Sequence, residues 1–142
     1  MFGRNHIFLI LSFFLFSTIE LTAQILGPED KTLSIYFGGG SYYVDPQQEE
    51  LLNTFIQETE NLEIYQIEVH GHTDNIGSVS FNQYLSEMRS GEVIYYLELL
   101  EIDREAIIKY DHGEMDPDYD NTEWQGKLHN RRVDIILRKL SA

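Results

Sequence analysis

A strand whose two faces differ in polarity is followed directly by a long amphipathic helix, and this pair most constrains the fold. From Tyr65 to His72, apolar and polar residues alternate, which is typical of a sheet covered on one face only. The helix predicted from about Ser80 to Leu100 has one broad apolar side, which is expected to cover that face. The opposite face of the strand is expected to be in water. It carries Gln66, Glu68, His70 and His72.

The remaining segments continue an alternation of strands and helices. They are predicted as a strand over 33–37, a helix that starts at Pro46, strands over 107–112 and 133–137, and a polar, aspartate-rich loop over 113–130. The order is strand, helix, strand, helix, strand, loop, strand. Its simplest packing is an α+β two-layer sandwich, with two main helices on one face of a small mixed sheet.

The first helix has a distinct start signal. Asp45 is a typical N-cap residue, and Pro46 suits the first helical position, where its missing N–H costs little. Gln48 stands three residues after the cap. Its side chain is therefore expected to reach back to the backbone N–H of Asp45.

Composition excludes several classes of function. The 142 residues include 24 acidic and 10 basic side chains, a formal net charge of −14, which makes nucleic acid a poor partner. The chain has no cysteine, so disulfides, a thiol nucleophile, cysteine metal ligands and a lipid-modified cysteine are excluded. The length fits one domain, with 42% apolar residues to build its core.

The N-terminal segment has the features of a secretory signal peptide. Arg4 gives a positive start, the run from Ile7 to Ile19 is apolar apart from small hydroxyl residues, and Ala23 is a small residue suited to cleavage. An uncleaved anchor is the alternative, but a transmembrane helix needs about 20 apolar residues. We expect a signal peptide over 1–23, a short leader over 24–31 and one domain over 32–142, with no membrane-spanning segment after cleavage.

One arginine lies on the apolar side of the long helix. On a helical wheel, Arg89 falls between Leu85 and Leu100. A buried charge without a partner would cost several kcal/mol, so Arg89 must meet an acid, a group of backbone carbonyls or water in a cleft. The acidic candidates are Glu92 on the same helix and Asp74 at the end of the preceding strand.

Two interpretations of Asp74 and Arg89 follow. They can form an ordinary ion pair that fixes the loop to the helix. Alternatively they form a split site, in which the guanidinium holds a carboxylate and the aspartate accepts from an ammonium group. The second arrangement would suit the free amino-acid end of a peptide branch.

The motifs, taken in order, resemble the OmpA-like C-terminal domain family, over roughly residues 33–140. They are Ile35-Tyr36-Phe37 with Ser41, then Gly71-His72-Thr73-Asp74, then Asn82, Leu85-Ser86 and Arg89, then Gly113-Glu114, Pro117 and Asn121, and finally Gly126 and Asn130-Arg131-Arg132-Val133. One departure is the run of three glycines after Phe37, where the family often has an acidic residue. Backbone amides of this run would then replace a side-chain contact.

The resemblance implies a fold, a function and a site. The expected topology is β-α-β-α-β-β, and the expected function is non-covalent binding of peptidoglycan and tethering in the cell envelope. In the family, the residues matching Asp74 and Arg89 grip the diaminopimelate residue of the stem peptide. Thr73, Asn82 and Arg131 match neighbouring positions of the same groove. The implied location is the periplasm of a Gram-negative-type envelope, in association with the outer membrane. The resemblance implies no enzymatic activity and no cofactor. It also implies a further envelope protein as partner.

Two other functions stay open on the sequence. His70, His72 and Asp74 match the HxHxD start of a zinc hydrolase, because alternate residues of a strand project to one side. The second is a protein-docking module without a ligand. Its contact patch would come from Tyr42, Tyr43, Tyr95, Tyr96, Tyr110, Tyr119 and Trp124.

Overall fold

The computed structural model describes residues 29–140, which form four strands and three helices. In chain order these are β1 (Lys31–Tyr36), α1 (Pro46–Gln57), β2 (Tyr65–His72), α2 (Val79–Leu99), β3 (Ile107–Gly113), α3 (Trp124–Asn130) and β4 (Arg132–Lys139). Short 3₁₀ turns at Leu62–Ile64 and Arg104–Ala106 precede β2 and β3.

The four strands form one mixed sheet in the order β1-β4-β2-β3. β4 runs antiparallel to both of its neighbours, with Val133 opposite Ile35 on one side and Gly71 on the other. β2 and β3 are parallel, and α2 makes the crossover between them. This arrangement confirms the predicted α+β class, with the mixed sheet and the two main helices.

The core lies between the sheet and the two long helices. α1 packs against β1, while α2 packs against β2 and β3. Alternate residues of the two central strands, β2 and β4, face the helices and are fully or almost fully buried, which contributes about 1.5–3 kcal/mol for each large apolar side chain. The central members are Ile35, Leu52, Ile67, Val69, Val93, Leu97, Val133, Ile135 and Leu137.

The start of α1 matches the prediction in one respect and differs in another. The Asp45 side chain accepts from the backbone N–H of Gln48, at 3.0 Å, as expected. The Gln48 side chain, however, does not return to Asp45. It bonds both backbone groups of Tyr36, accepting from N–H at 3.0 Å and donating to C=O at 3.2 Å. β1 is an edge strand, so these groups face away from β4 and need a partner.

The loop predicted over 113–130 contains the short helix α3, which the sequence did not predict. Its seven residues are too few for a clear apolar periodicity, and one of them is a glycine. A Cβ on Gly126 would lie 1.9 Å from the carbonyl oxygen of Asp120. Glycine is therefore required at this position, because its backbone lies directly against the backbone of Asp120.

The polar face of β2 is less exposed to solvent than predicted. His72 is only 5% exposed, because the imidazole rings of His112 and His72 stack with their centroids 4.6 Å apart. His112 comes from β3, the neighbouring strand. Partner rings on the same side of the sheet thus cover the end of β2.

The predicted signal peptide and its cleavage site lie outside the described residues. At the start of the described range, Lys31 already belongs to β1, and the Asp30 carboxylate accepts from the backbone N–H of Lys139 at 2.9 Å. The last residues of the predicted leader thus join the sheet. Within residues 29–140, every helix is too short or too polar to cross a bilayer.

Candidate ligand-binding site

The predicted site residues lie around the ends of β2 and β3 and the first half of α2. Thr73 and Asp74 directly follow β2, and the N–H of Thr73 donates to the carbonyl of Gly113 at the end of β3, at 2.8 Å. α2 begins after Ser78, whose side chain accepts from the N–H of Phe81. That helix carries Asn82 and Arg89, whereas Arg131 directly precedes β4.

Arg89 is 1% exposed and binds three backbone carbonyls. Its Nε donates to the carbonyl of Ser41 at 2.8 Å, its Nη1 to His72 at 2.9 Å and its Nη2 to Gly38 at 3.0 Å. Carbonyls were one of the predicted kinds of partner. Within residues 29–140, neither acidic candidate, Asp74 or Glu92, lies within salt-bridge distance of the guanidinium.

The guanidinium keeps its charge and part of its hydrogen-bonding capacity. Three of its five N–H donors are used by the carbonyls, which leaves one donor on each terminal nitrogen. Burial lowers the pKa of Arg89 to about 10, Asp74 opposes this shift, and Arg131 adds to it. Arg89 is therefore a cation at neutral pH, surrounded by neutral dipoles.

Asp74 forms its ion pair with Arg131 and not with Arg89. Its Oδ2 accepts from Nε of Arg131 at 2.6 Å, and its Oδ1 accepts from the backbone N–H of Ile76 at 3.1 Å. Asp74 and Arg131 are each 6% exposed. The direct pairing of Asp74 with Arg89, one of the two interpretations of the sequence, is therefore not what the structure contains.

Arg131 is fixed from several directions. Its backbone carbonyl accepts from the N–H of Phe37 at 2.8 Å, which extends the β1–β4 ladder by one bond. Its guanidinium lies 5.0 Å from the centre of the Trp124 ring, a cation–π distance. Arg131 and Arg89 together bring two positive charges against the single carboxylate of Asp74. Among the five predicted site residues, two side chains are thus cationic and one is anionic.

Thr73 and Asn82 each have a buried polar atom that finds no hydrogen-bond partner among the described residues. Thr73 is 2% exposed and its Oγ1 is unbonded, while the fully buried Asn82 has an unbonded Oδ1 and donates through Nδ2 to Glu114. Within residues 29–140, the other two such atoms are Asn53 Oδ1 and His72 Nδ1. An unsatisfied buried polar atom costs about 1–3 kcal/mol. Two of the four therefore lie in predicted site residues.

The glycine run after β1 forms a cover over both arginines. Gly38 and Ser41 supply carbonyls to Arg89, and a Cβ on Gly39 would lie 3.3 Å from Nη1 of Arg131. Gly40 has a φ of 69°, in the left-handed region that favours glycine. The sequence predicted that backbone amides act here, whereas the structure shows backbone carbonyls accepting from Arg89.

The zinc alternative finds no support in the geometry. Asp74 is bonded to Arg131, whereas His70 and His72 take part in ring stacks with His112 on the sheet face. Across the part of the chain that the structure describes, no three histidine or acidic side chains are grouped to hold a metal ion. The HxHxD spacing here reflects strand alternation.

Comparison with known proteins finds related sequences and a related fold. A sequence model of the OmpA family matches residues 36–131. Outer membrane protein A of Bordetella avium is 33% identical over 92 residues, which cover 65% of this chain and 47% of that protein. The peptidoglycan-binding protein ArfA of Mycobacterium bovis is 29% identical over 103 residues, covering 72% of this chain and 32% of that protein. This chain spans less than half the length of either relative.

A solved structure agrees with the sequence comparison. The peptidoglycan-associated lipoprotein from Burkholderia pseudomallei has a TM-score of 0.68 at 27% identity. The match covers 74% of this chain and 89% of that one. All five predicted site residues lie inside the segment that the family model matches, with Arg131 as its last residue.

Proposed function

The chain belongs to the OmpA family, as its motifs predicted, and on this basis we propose that it binds peptidoglycan without cleaving it and acts as an envelope tether. The observation that carries the proposal is the state of Arg89. It is a buried cation with two unused N–H donors and no acidic partner within residues 29–140. Such a group suits a ligand carboxylate, which would supply the missing charge.

The proposed ligand group is the diaminopimelate residue of the stem peptide. Its free end carries a carboxylate and an ammonium group on one carbon. The carboxylate would bind the remaining donors of Arg89, with Arg131 adding to the positive potential. A carboxylate accepts about four hydrogen bonds, and Asp74 uses two, so Asp74 keeps room to accept from the ammonium.

Access to Arg89 requires a movement of the glycine cover. The side chain is 1% exposed, and two of its three bonds go to carbonyls of the segment 38–41. A ligand carboxylate would reach the two unused donors of Arg89 once this segment moves aside. The three consecutive glycines ease that movement, because glycine adopts alternative backbone angles freely.

The expected affinity of one site is modest. Each charge-assisted contact contributes about 1.5–3 kcal/mol, so a few contacts correspond to micromolar to millimolar dissociation constants. Repeated stem peptides on the wall polymer would raise retention through avidity. The names of the relatives, an outer membrane protein and a peptidoglycan-binding protein among them, support a place in the cell envelope, which we assign to the periplasm.

Sedimentation with purified sacculi tests the proposal. Residues 24–142 are incubated with sacculi that contain diaminopimelate, and the bound fraction is compared for wild type, Asp74→Asn and Arg89→Lys. Both variants should bind at least about tenfold more weakly, since each loses one charge-assisted contact. Arg138→Gln is the matched control, because Arg138 is an exposed arginine with its own ion pairs. Equal sedimentation of all four proteins would refute the assigned site.

Two further arms separate the finer claims. Sacculi in which lysine replaces diaminopimelate lack the second carboxylate, so they should retain less protein. Equal retention would remove diaminopimelate as the recognised group and leave peptidoglycan binding in place. We also expect no turnover, and release of soluble muropeptides during the incubation would contradict a purely binding role.

A further inference from the structure

A groove between the two long helices lies apart from the candidate ligand site. It has a volume of about 390 Å³, within the range of about 300–1,000 Å³ usual for binding sites. Its walls come from α1 and from the C-terminal part of α2. The lining residues are Pro46, Glu49, Glu50, Leu52, Asn53, Tyr96, Leu99 and Leu100.

The floor of the groove is apolar and partly open to solvent. Leu52 is buried at its base, whereas Leu99 is 59% exposed. Tyr96, another lining residue, is partly exposed. An exposed leucine beside a partly exposed tyrosine favours contact with an apolar partner surface.

The rim of the groove is acidic. Glu49 and Glu50 are exposed lining residues. Burial raises the pKa of Tyr96, and Glu49 and Glu92 raise it further, so this hydroxyl lies in a negative potential. From Thr32 to Asp103 the sequence contains a single lysine or arginine, Arg89, which is buried in the other site. No exposed Lys or Arg of the helix layer therefore offsets the acidic rim.

The groove also contains an acceptor without a donor. Oδ1 of Asn53 is buried and makes no hydrogen bond within the described residues. Together with the two carboxylates of the rim, it makes three acceptor groups for N–H donors. An ammonium or guanidinium group on an aliphatic stem matches both this set of acceptors and the apolar floor.

We propose that this groove binds a basic segment of a partner protein that presents leucine-like side chains to the floor and lysine or arginine to the rim. An anionic membrane surface is disfavoured by the acidic helix layer. The same face of a second copy is disfavoured for the same reason. Tyr96 is seven residues beyond Arg89 on α2, about 10 Å along the axis, so both sites can be occupied together.

A designed peptide tests the groove. The probe is a fluorescein-labelled 14-residue helix of leucine and lysine, with leucine on one face. The control peptide has the same composition in scrambled order. Binding to residues 24–142 is measured by fluorescence anisotropy, and the bound surface is mapped by amide chemical-shift changes.

Glu49→Gln combined with Glu50→Gln should weaken binding about fivefold, because two rim charges are lost. Glu58→Gln combined with Glu60→Gln removes the same charge from exposed positions outside the lining and should change binding little.

The outcomes are distinct from those of the sacculus experiment. Shift changes at Leu52, Tyr96 and Leu99, with selective weakening by the rim variant, would support the groove. Equal weakening by both double variants, or equal binding of the scrambled peptide, would show non-specific charge attraction and overturn the proposal. A dimer of the protein alone that the rim variant dissociates would assign the face to a second copy and also overturn it.

Discussion

The carboxylate of Asp74 and the guanidinium of Arg131 are joined by a 2.6 Å bond from Nε to Oδ2, and both groups are nearly buried. This pair leaves Arg89 as the cation without an acid within residues 29–140. The predicted site residues therefore include three charged side chains, and a further carboxylate, that of Glu114, is bonded to Asn82. In the proposed binding mode, a ligand carboxylate would pair with Arg89.

Breaking the Asp74–Arg131 pair should destabilise the protein strongly. Asp74→Asn leaves a nearly buried guanidinium without its acid, which costs about 3–5 kcal/mol in the free energy of unfolding. Adding Arg131→Gln should cost less than the sum of the two single changes. Urea unfolding of the four proteins in this cycle measures the coupling, expected at about 2 kcal/mol. Asp30→Asn, at an exposed pair, is the control and should cost much less, because solvent screens that pair. Additive single effects would show that the pair contributes nothing jointly.

Arg89→Lys should reduce stability although it keeps the charge. A lysine ammonium is a compact donor and cannot reach three carbonyls that the planar guanidinium bonds simultaneously. Leaving buried carbonyls unpaired should cost about 2–3 kcal/mol in urea unfolding. Arg104→Lys is the matched control, because Arg104 is exposed and bonds only the carbonyl of Ile107. Its cost should stay within about 0.5 kcal/mol, and a similar cost at both sites would contradict the role given to the three carbonyls.

Periodicity in the sequence predicted the elements that depend on local pattern. The alternation in β2 and the apolar side of α2 predicted a layer of sheet covered by a layer of helices. A helical wheel of α2 also placed Arg89 on its buried side. These predictions needed only the spacing of residues along one element. The same holds for the Asp45 cap, whose partner is three residues away.

The sequence did not predict which side chains of distant segments contact each other. Asp74 and Arg131 are 57 residues apart, and they meet because β4 inserts between β1 and β2. Gln48 likewise bonds Tyr36 because β1 is an edge strand, a fact that depends on the strand order. In both cases the residue types indicated that the side chains need hydrogen-bonding or ionic partners. Only the topology decided which partner was near.

Gly71, at the β2–α2 packing, and Gly91, on the exposed side of α2, should respond oppositely to alanine. A Cβ on Gly71 would lie 2.5 Å from the carbonyl oxygen of Ser86, so Gly71→Ala must push α2 away from β2. We expect a loss of about 1–3 kcal/mol, typical of overpacking. A Cβ on Gly91 meets nothing within 4 Å, so Gly91→Ala should stabilise the helix by about 0.5–1 kcal/mol. Thermal unfolding of both variants checks the pair, and a stabilising Gly71→Ala would contradict the close approach.

The open face of the sheet carries a column of parallel rings that the sequence did not predict. Tyr110 and His70 stack at 4.5 Å between centroids, His70 and His112 at 5.2 Å, and His112 and His72 at 4.6 Å. Nδ1 of His70 lies 2.9 Å from Nε2 of His112, so one of these nitrogens donates and the other accepts. Full protonation of both rings would break this bond, because neither nitrogen could then accept.

Acid should therefore weaken the fold through His72. Burial lowers its pKa to about 4, with Arg132 and His112 adding to the shift and Asp134 and Asp118 opposing it. The unfolded chain then binds this proton more readily, so stability is complete above pH 6.5 and falls as the pH is lowered towards 4. At about 1.4 kcal/mol per pKa unit, wild type should lose about 2 kcal/mol between pH 7 and pH 5. Urea unfolding at both pH values should show a smaller loss in His72→Gln, since that variant has no imidazole to titrate. An equal loss in both proteins would exclude His72 as the titrating group.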